Sequence, residues 1–302
     1  MKRRLFIQKT LAGTLFLGTS GLAWEGCTPA RAKNHITILH TNDVHSHIDP
    51  FPADHARNPN MGGVARRASL IEQIRNENPN TLLLDAGDIF QGTPYFNFYG
   101  GEIEFKLMSK LGYDAATIGN HDFDNGIEGL YAQMPNAKFS FVSANYDFSN
   151  TVMNGLVKPY QIFERDEVKI GVFGLGIELA GLVNKKQYKE TVYLDPVEIC
   201  EDMCRELKDE QGCDLIICLS HLGYQYDSDK VSDRVLAAKS KDLDLIIGGH
   251  THTFMDKPQV VNNREDQPVL INQVGCFGLY LGRIDFYFDH KETRGEGVII
   301  SV

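Results

Sequence analysis

Short apolar runs alternate with longer amphipathic stretches along most of this chain. Runs of strand length lie at 36–40, 81–84, 115–118, 139–143, 168–173, 215–219 and 243–247, with later ones at 268–273, 279–288 and 298–302. Helical spacing of apolar residues predicts helices over 64–77, 101–111, 125–134, 196–210 and 228–238. At the fourth helix, Pro196 occupies the first-turn position that tolerates proline, with Asp195 before it as the N-cap. Strands alternating with helices predict an α/β fold. From Gln259 onward strand signals dominate, which marks the far edge of one domain and not a second one. No internal repeat, low-complexity tract or Pro/Ser-rich linker interrupts the pattern.

The first thirty residues follow a different rule. Lys2, Arg3, Arg4 and Lys9 form a basic start, and an apolar run over 11–23 follows, short for a membrane span. The order Arg3-Arg4-Leu5-Phe6 with Lys9 is similar to a twin-arginine export signal; an ordinary secretory signal is the alternative. Ala30-Arg31-Ala32 offers a cleavage site, so residues 1–32 read as the signal and 33–302 as the mature domain, placed in the periplasm or outside the cytoplasm. Cys27 offers a competing, lipoprotein-type site, but Trp24-Glu25-Gly26 before it is a poor match. Membrane attachment is expected only if Cys27 is lipidated.

Composition adds two exclusions. The 302 residues carry a formal net charge of −10, and the basic start means the rest is more acidic still. Such a body does not suit nucleic-acid binding, which needs a basic surface. An anionic substrate would need a local positive source, and bound metals supply one. Six cysteines are present, at 27, 200, 204, 213, 218 and 276, and none forms a C-x-x-C pair. Cys218 lies in an apolar run and reads as a small buried hydrophobe.

The candidate chemistry is positional. Five apolar runs each end in a cluster of possible metal ligands: Asp43-Val44-His45, Asp85-Ala86-Gly87-Asp88, Gly119-Asn120-His121-Asp122, Ser220-His221, and Gly248-Gly249-His250-Thr251-His252. Sites in open α/β sheets form beyond the carboxyl ends of strands, so five such clusters can meet at one point. Imidazole with carboxylate suits zinc, manganese or iron. A carboxylate has two oxygens and can bridge two cations, with Asp88 the natural candidate. Gly87, Gly119, Gly248 and Gly249 let the backbone come close and take unusual dihedrals. Each cluster alone has an ordinary reading: a turn, a surface histidine, a hydrogen-bonded core histidine. Their conjunction in one chain points to a dinuclear site.

At these residues the chain resembles the calcineurin-like metallophosphoesterase superfamily, marked by D-x-H, G-D, G-N-H, an isolated H and G-H-x-H in that order. Further residues bring it near the catalytic domain of the 5′-nucleotidases: Leu39-His40-Thr41-Asn42 before Asp43, Ile89-Phe90-Gln91-Gly92-Thr93-Pro94 after Asp88, Phe123-Asp124 after Asp122, Leu222-Gly223 after His221, and Asp195-Pro196-Val197. The resemblance implies a four-layer α-β-β-α sandwich of two mixed sheets flanked by helices, with the site at the carboxyl ends of strands. It implies one divalent ion on Asp43, His45, Asp88 and His252, and a second on Asp88, Asn120, His221 and His250, zinc, manganese or similar. His121 then faces the phosphate and Asp124 orients its ring. The reaction implied is attack on phosphorus by a water that the two metals activate, with His121 stabilising charge or protonating the leaving oxygen.

The chain departs from the family in two places. Ser46-His47 follows the first motif where glycine is common, leaving His47 as a rim residue or an extra ligand. Complete 5′-nucleotidases also carry a second domain with arginines for the phosphate and aromatic rings for the base. This chain ends at Val302 without a C-terminal nucleotide-specificity domain, so a separately encoded one is the expected partner. The aromatic cluster Tyr95, Phe96, Phe98 and Tyr99 lines a substrate mouth or simply packs. The expected substrate is a small phosphoester, a nucleotide first. The competing expectations are a phosphodiesterase acting on cyclic nucleotides, a hydrolase of nucleotide sugars or sulfur esters, and a non-catalytic metal-stabilised scaffold.

Overall fold

The computed structural model describes residues 34–288 and 293–302. The export-signal reading of 1–32 and the lipidation reading of Cys27 lie outside these residues. Lys33–Val302 forms one unit. Its strands are β1 (His35–Thr41), β2 (Thr81–Asp85), β3 (Ala115–Ala116), β4 (Ser140–Phe141), β5 (Tyr146–Asp147), β6 (Tyr160–Arg165), β7 (Val168–Leu175), β8 (Val192–Tyr193), β9 (Leu215–Ser220), β10 (Leu245–Gly248), β11 (Gln259–Asn262), β12 (Pro268–Asn272), β13 (Tyr280–Phe288) and β14 (Thr293–Ser301). Its helices are α1 (Val64–Glu77), α2 (Pro94–Tyr99), α3 (Glu102–Leu111), α4 (Gly126–Gln133), α5 (Lys185–Tyr188), α6 (Pro196–Arg205) and α7 (Asp233–Lys239). Among the described residues no helix is long and apolar enough to cross a membrane.

Two six-stranded mixed sheets carry the fold, in the orders β14-β13-β1-β2-β3-β4 and β11-β12-β10-β9-β7-β6. Within the first, β1, β2, β3 and β4 run parallel, and within the second β7, β9, β10 and β12 do. Alternation along each strand explains the layers. Ile36, Ile38, Leu82 and Leu84 of one sheet share a core with Ile170, Val172, Leu215, Ile217, Leu245 and Ile247 of the other. The alternate residues Leu39 and Leu83 pack outward with Ile71, Phe105, Met108, Ile127 and Leu130 of α1, α3 and α4. Ile216, Cys218 and Ile246 pack outward with Cys200, Cys204, Leu236 and Ala237 of α6 and α7. Both faces of the central strands are therefore buried, which is why they read as unbroken apolar runs. The result is the four-layer α-β-β-α sandwich that the resemblance implies.

Several elements differ from expectation for local reasons. The third strand stops at Ala116, because 117–120 turns into the site. Helix α7 begins at Asp233, capped by the Ser232 side chain, so 228–231 is loop. Asp195 caps α6 as expected, accepting from Val197 N and Glu198 N, and a wider turn over Glu206–Glu210 ends that helix. Strand β6 is not among the expected runs because, as a half-exposed sheet edge, it interrupts Tyr160, Ile162 and Phe163 with Gln161 and ends on Glu164 and Arg165. The aromatic cluster over 95–99 is the short helix α2: Phe96 packs on Phe90, whereas Phe98 is 82% exposed. Cys200, Cys204, Cys213, Cys218 and Cys276 are free and buried.

Candidate metal centre

The five strand-end clusters converge. Loops after β1, β2 and β3 come from one sheet, and loops after β9 and β10 from the other. Their side-chain ligand atoms form two groups, Asp43 with His45 and His252, and Asp88 with His221 and His250, each with its atoms within 4.8 Å of one another. Asp88 stands between them: its Oδ2 lies 3.0 Å from His221 Nε2 and 3.8 Å from His45 Nε2. Asp43 Oδ1 lies 3.4 Å from His252 Nε2 and 4.0 Å from His221 Nε2. Asn120 joins the second group, its Oδ1 2.8 Å from His250 Nδ1.

The backbone takes unusual forms here, at the candidate ligands themselves. Asp43, His45, Asp88, His250 and His252 all have positive φ, between 49° and 69°. Left-handed backbone is uncommon for residues with a Cβ, and it concentrates at functional sites where the surroundings hold it. Gly87 takes positive φ as the sequence suggested, but Gly119, Gly248 and Gly249 are not among the positive-φ glycines. All three serve close approach, Gly248 against the Asp233 carboxylate. A Cβ on Gly119 would run into Asp88 Oδ1, and one on Gly249 would sit 2.8 Å from His221 Nδ1 and 2.9 Å from the Ala86 carbonyl oxygen.

Hydrogen bonds fix the loops to one another. Asp43 N donates to Gly87 O (2.9 Å), His45 N to Asp88 O (3.1 Å) and Ser46 N to Ile89 O (2.9 Å), so the first two loops run side by side. His250 N donates to both carboxylate oxygens of Asp43, at 2.9 and 3.1 Å. Asp122 is the staple of the centre: its buried carboxylate accepts from the backbone N–H of Asp88 (3.1 Å), Ile89 (2.9 Å), Phe90 (3.1 Å) and Gly119 (2.8 Å). Burial and the neighbouring Asp88 charge push its carboxyl up to about 7, and the backbone donors work in the opposite direction, toward the carboxylate. Removing this acceptor strands several buried N–H groups. Asp122→Ala is expected to cost about 3 kcal/mol or more, read as a lowered melting temperature, with Asp122→Asn costing less because it keeps one acceptor oxygen. A loss below about 1 kcal/mol would mean that water replaces the carboxylate.

The ring nitrogens tell whether cations fit. His221 donates Nδ1–H to the Ala86 carbonyl at 2.7 Å, which turns the lone pair of Nε2 toward the centre. That Nε2 is fully buried and, despite the nearby Asp88, makes no aligned hydrogen bond. His45 Nδ1 faces the Phe90 carbonyl at 3.1 Å, and its Nε2 comes within 3.1 Å of His252 Nε2. Imidazole lone pairs converging with two carboxylates match the donor set of zinc, manganese or iron. With protons alone in the centre, burial works against a charged His221, and the Asp88 carboxylate overcomes it and raises the ring to about 10. His252 is raised to about 10 by Asp43 and Cys276, whereas burial lowers His250 to about 4. The two carboxylates thus favour positive charge at His221 and His252, whereas burial disfavours it at His45 and His250.

His121 and Asp124 stand beside the candidate ligands. His121 N donates to Asp88 Oδ1 (2.8 Å), its Nδ1 lies 2.8 Å from Asp124 Oδ2, and its ring packs edge-on against His45 at 5.3 Å. Its side chain is 39% exposed, and the Asp124 hydrogen bond raises its pKa. His47 belongs to neither ligand group. Its Nδ1 faces the carbonyls of Val44 and His45, and its ring packs between Phe51 and Phe277.

Residues 36–254 match the family model for calcineurin-like phosphoesterases. The chain belongs to that family. Among proteins similar to this phosphoesterase chain, a trifunctional nucleotide phosphoesterase of Bacillus subtilis is 35% identical over 85% of this chain and 18% of its own length. The human 5′-nucleotidase is 33% identical over 95% of this chain and 52% of its own. A 5′-nucleotidase precursor from Thermus thermophilus has a solved structure that superposes with a TM-score of 0.80, at 33% identity, covering 89% of this chain and 55% of that one. The chain spans about half the length of these two 5′-nucleotidases.

Sequence reasoning missed one loop. The segment joining β12 to β13 offers no ligand in either group, yet it clamps the others. Gln273 Nε2 donates to Gly249 O (2.7 Å), Val274 N to Asn42 Oδ1 (2.9 Å) and Phe277 N to Asp43 O (2.7 Å). Its only signal in the sequence is Gly275 and Gly278 bracketing Cys276-Phe277.

Proposed function

We propose that this chain is a metal-dependent phosphoester hydrolase of the 5′-nucleotidase type, a phosphomonoesterase whose leading substrates are nucleotides. The observation that carries this reading is the position of Asp88 Oδ2 between His45 Nε2 and His221 Nε2, one from each ligand group. In this reading Asp43, His45, Asp88 and His252 would hold one divalent ion and Asp88, Asn120, His221 and His250 the second, with Asp88 common to both sets. Bound divalent ions supply Lewis acidity toward the phosphoryl oxygens and activate water as a nucleophile. The chain's own residues do the rest. His121 is held at Nδ1 by Asp124, which leaves Nε2 to stabilise phosphoryl charge or to protonate the leaving oxygen. A scaffold that merely binds metal has no use for that oriented pair, so the pair supports an enzyme.

The residues of the centre reach the phosphoryl group, and discrimination among nucleosides needs groups that touch base and ribose. We therefore assign selectivity to a second domain or separate chain docking over the strand-end face near Phe98 and Tyr99. The export reading of 1–32, with the periplasm as destination and Cys27 as a possible lipid anchor, belongs to the same proposal. The test uses the purified chain. Its metal content and its turnover of nitrophenyl phosphate, nucleoside monophosphates and 2′,3′-cyclic nucleotides are measured, with and without a candidate second chain. Metal-dependent monoester hydrolysis with poor nucleoside selectivity is expected, sharpened by the partner. Preference for diesters would move the assignment to a phosphodiesterase. Low KM with strong selectivity in the single chain would overturn the need for a partner.

A further inference from the structure

The loop between β12 and β13 holds an aromatic residue with an uncommon backbone. Phe277 has φ of 63°, a left-handed backbone that a bulky side chain rarely adopts. Its N–H donates to the Asp43 carbonyl at 2.7 Å. Its ring lies 6.0 Å from that of His45, 5.9 Å from that of His252 and 4.3 Å from that of His47. One residue thus reaches all three members of the Asp43–His45–His252 group, the first through its backbone and the others through its ring. Among the described residues, its ring contacts include neither His221 nor His250, which pack on each other at 5.4 Å.

We propose that Phe277 is the positioning residue of the Asp43–His45–His252 metal site and has no such role at the Asp88–His221–His250 site. The inference rests on the reading of those residues as metal ligands. The ring restricts the swing of His45 and His252, keeping their Nε2 atoms converged at 3.1 Å. It also turns an apolar surface to that side of the site, limiting the water that competes for the ligands. Partners of this kind, which touch ligands without binding metal, change metal affinity by roughly 10–100-fold.

The decisive variant is Phe277→Gly, because glycine keeps the left-handed backbone and the N–H to Asp43 while removing the ring. Metal-free protein is titrated with zinc in a calorimeter, and wild type is expected to bind in two steps. In Phe277→Gly one step is expected to weaken by roughly 10–100-fold while the other is unchanged. In a His252→Ala background, which leaves the second site intact, Phe277→Gly is expected to have no further effect on the remaining step. The melting temperature of metal-free protein checks folding, and Phe277→Leu, expected to weaken the same step less, serves if the glycine variant does not fold. Equal weakening of both steps, no weakening of either, or an added loss in the His252→Ala background would overturn the inference. If wild type takes up no zinc, the ligand assignment fails as well, an outcome distinct from a normal two-step wild type that Phe277→Gly leaves unchanged.

Discussion

Asp88→Asn is expected to strip both metals from the protein and reduce hydrolysis to background. Asp88 is buried, and each of its oxygens is committed. Oδ1 accepts from His121 N at 2.8 Å, and Oδ2 lies between His221 and His45. Burial opposes its charge, but the facing histidines, His221 foremost, hold its carboxyl below the usual range. An asparagine has one oxygen and one NH2. If the oxygen keeps the His121 N–H, the NH2 points at the ring nitrogens and at any cation they hold; if it turns inward, two N–H donors face each other. Either orientation damages both ligand groups at once. Asp43→Asn makes the contrast, because Asp43 belongs to the group with His45 and His252. It is expected to leave one metal per chain. The measurement is the metal-to-protein ratio after gel filtration, alongside turnover. Two tightly held metals in Asp88→Asn, or loss of both in Asp43→Asn, would reassign the bridge.

How much of this centre was legible follows from what each residue contributes. Asp43, His45, Asp88, Asn120, His221, His250 and His252 announce themselves because their side chains are of metal-ligating types, and because each follows a strand whose buried faces leave a mostly apolar run. Asp122 was visible only as part of a motif. Its role is to gather backbone N–H groups from two loops distant in sequence, and a sequence does not display which amides a carboxylate will meet. Phe277 gave no signal, since an aromatic residue near a strand reads as core. The left-handed backbone at Asp43, His45, Asp88, His250 and His252 was hidden for a related reason. The strain sits on residues that do not prefer it, and the surrounding hydrogen bonds impose it. The sequence pattern placed the unusual dihedrals on the glycines, and only Gly87 took that role. The layers of the sandwich were legible wherever alternation crosses a buried sheet, and illegible at the edge strand β6 and in the two-residue strands β5 and β8, where too few apolar residues are buried to leave a period.

His121→Ala is expected to keep both metals and to lower turnover by roughly 10²–10⁴-fold, the scale of a positioned acid. His121 belongs to neither ligand group, and its ring is partly exposed beside His45. Its Nδ1 is engaged by Asp124, so Nε2 is the ring nitrogen that remains for a substrate. Two roles are open to that atom, and they separate by leaving group. A proton donor matters most for a poor leaving group such as a ribose alkoxide and little for nitrophenolate, which departs without a proton. A group that only stabilises phosphoryl charge matters about equally for both. The expected result is a large loss with nucleoside monophosphates and a smaller one with nitrophenyl phosphate. Asp124→Ala, which removes the orienting carboxylate but leaves the imidazole, is expected to lose less with the same order of substrates. An equal loss across leaving groups would restrict His121 to charge stabilisation. Loss of metal in His121→Ala would place it among the ligands instead, and the division of labour between the metal centre and its acid would have to be redrawn.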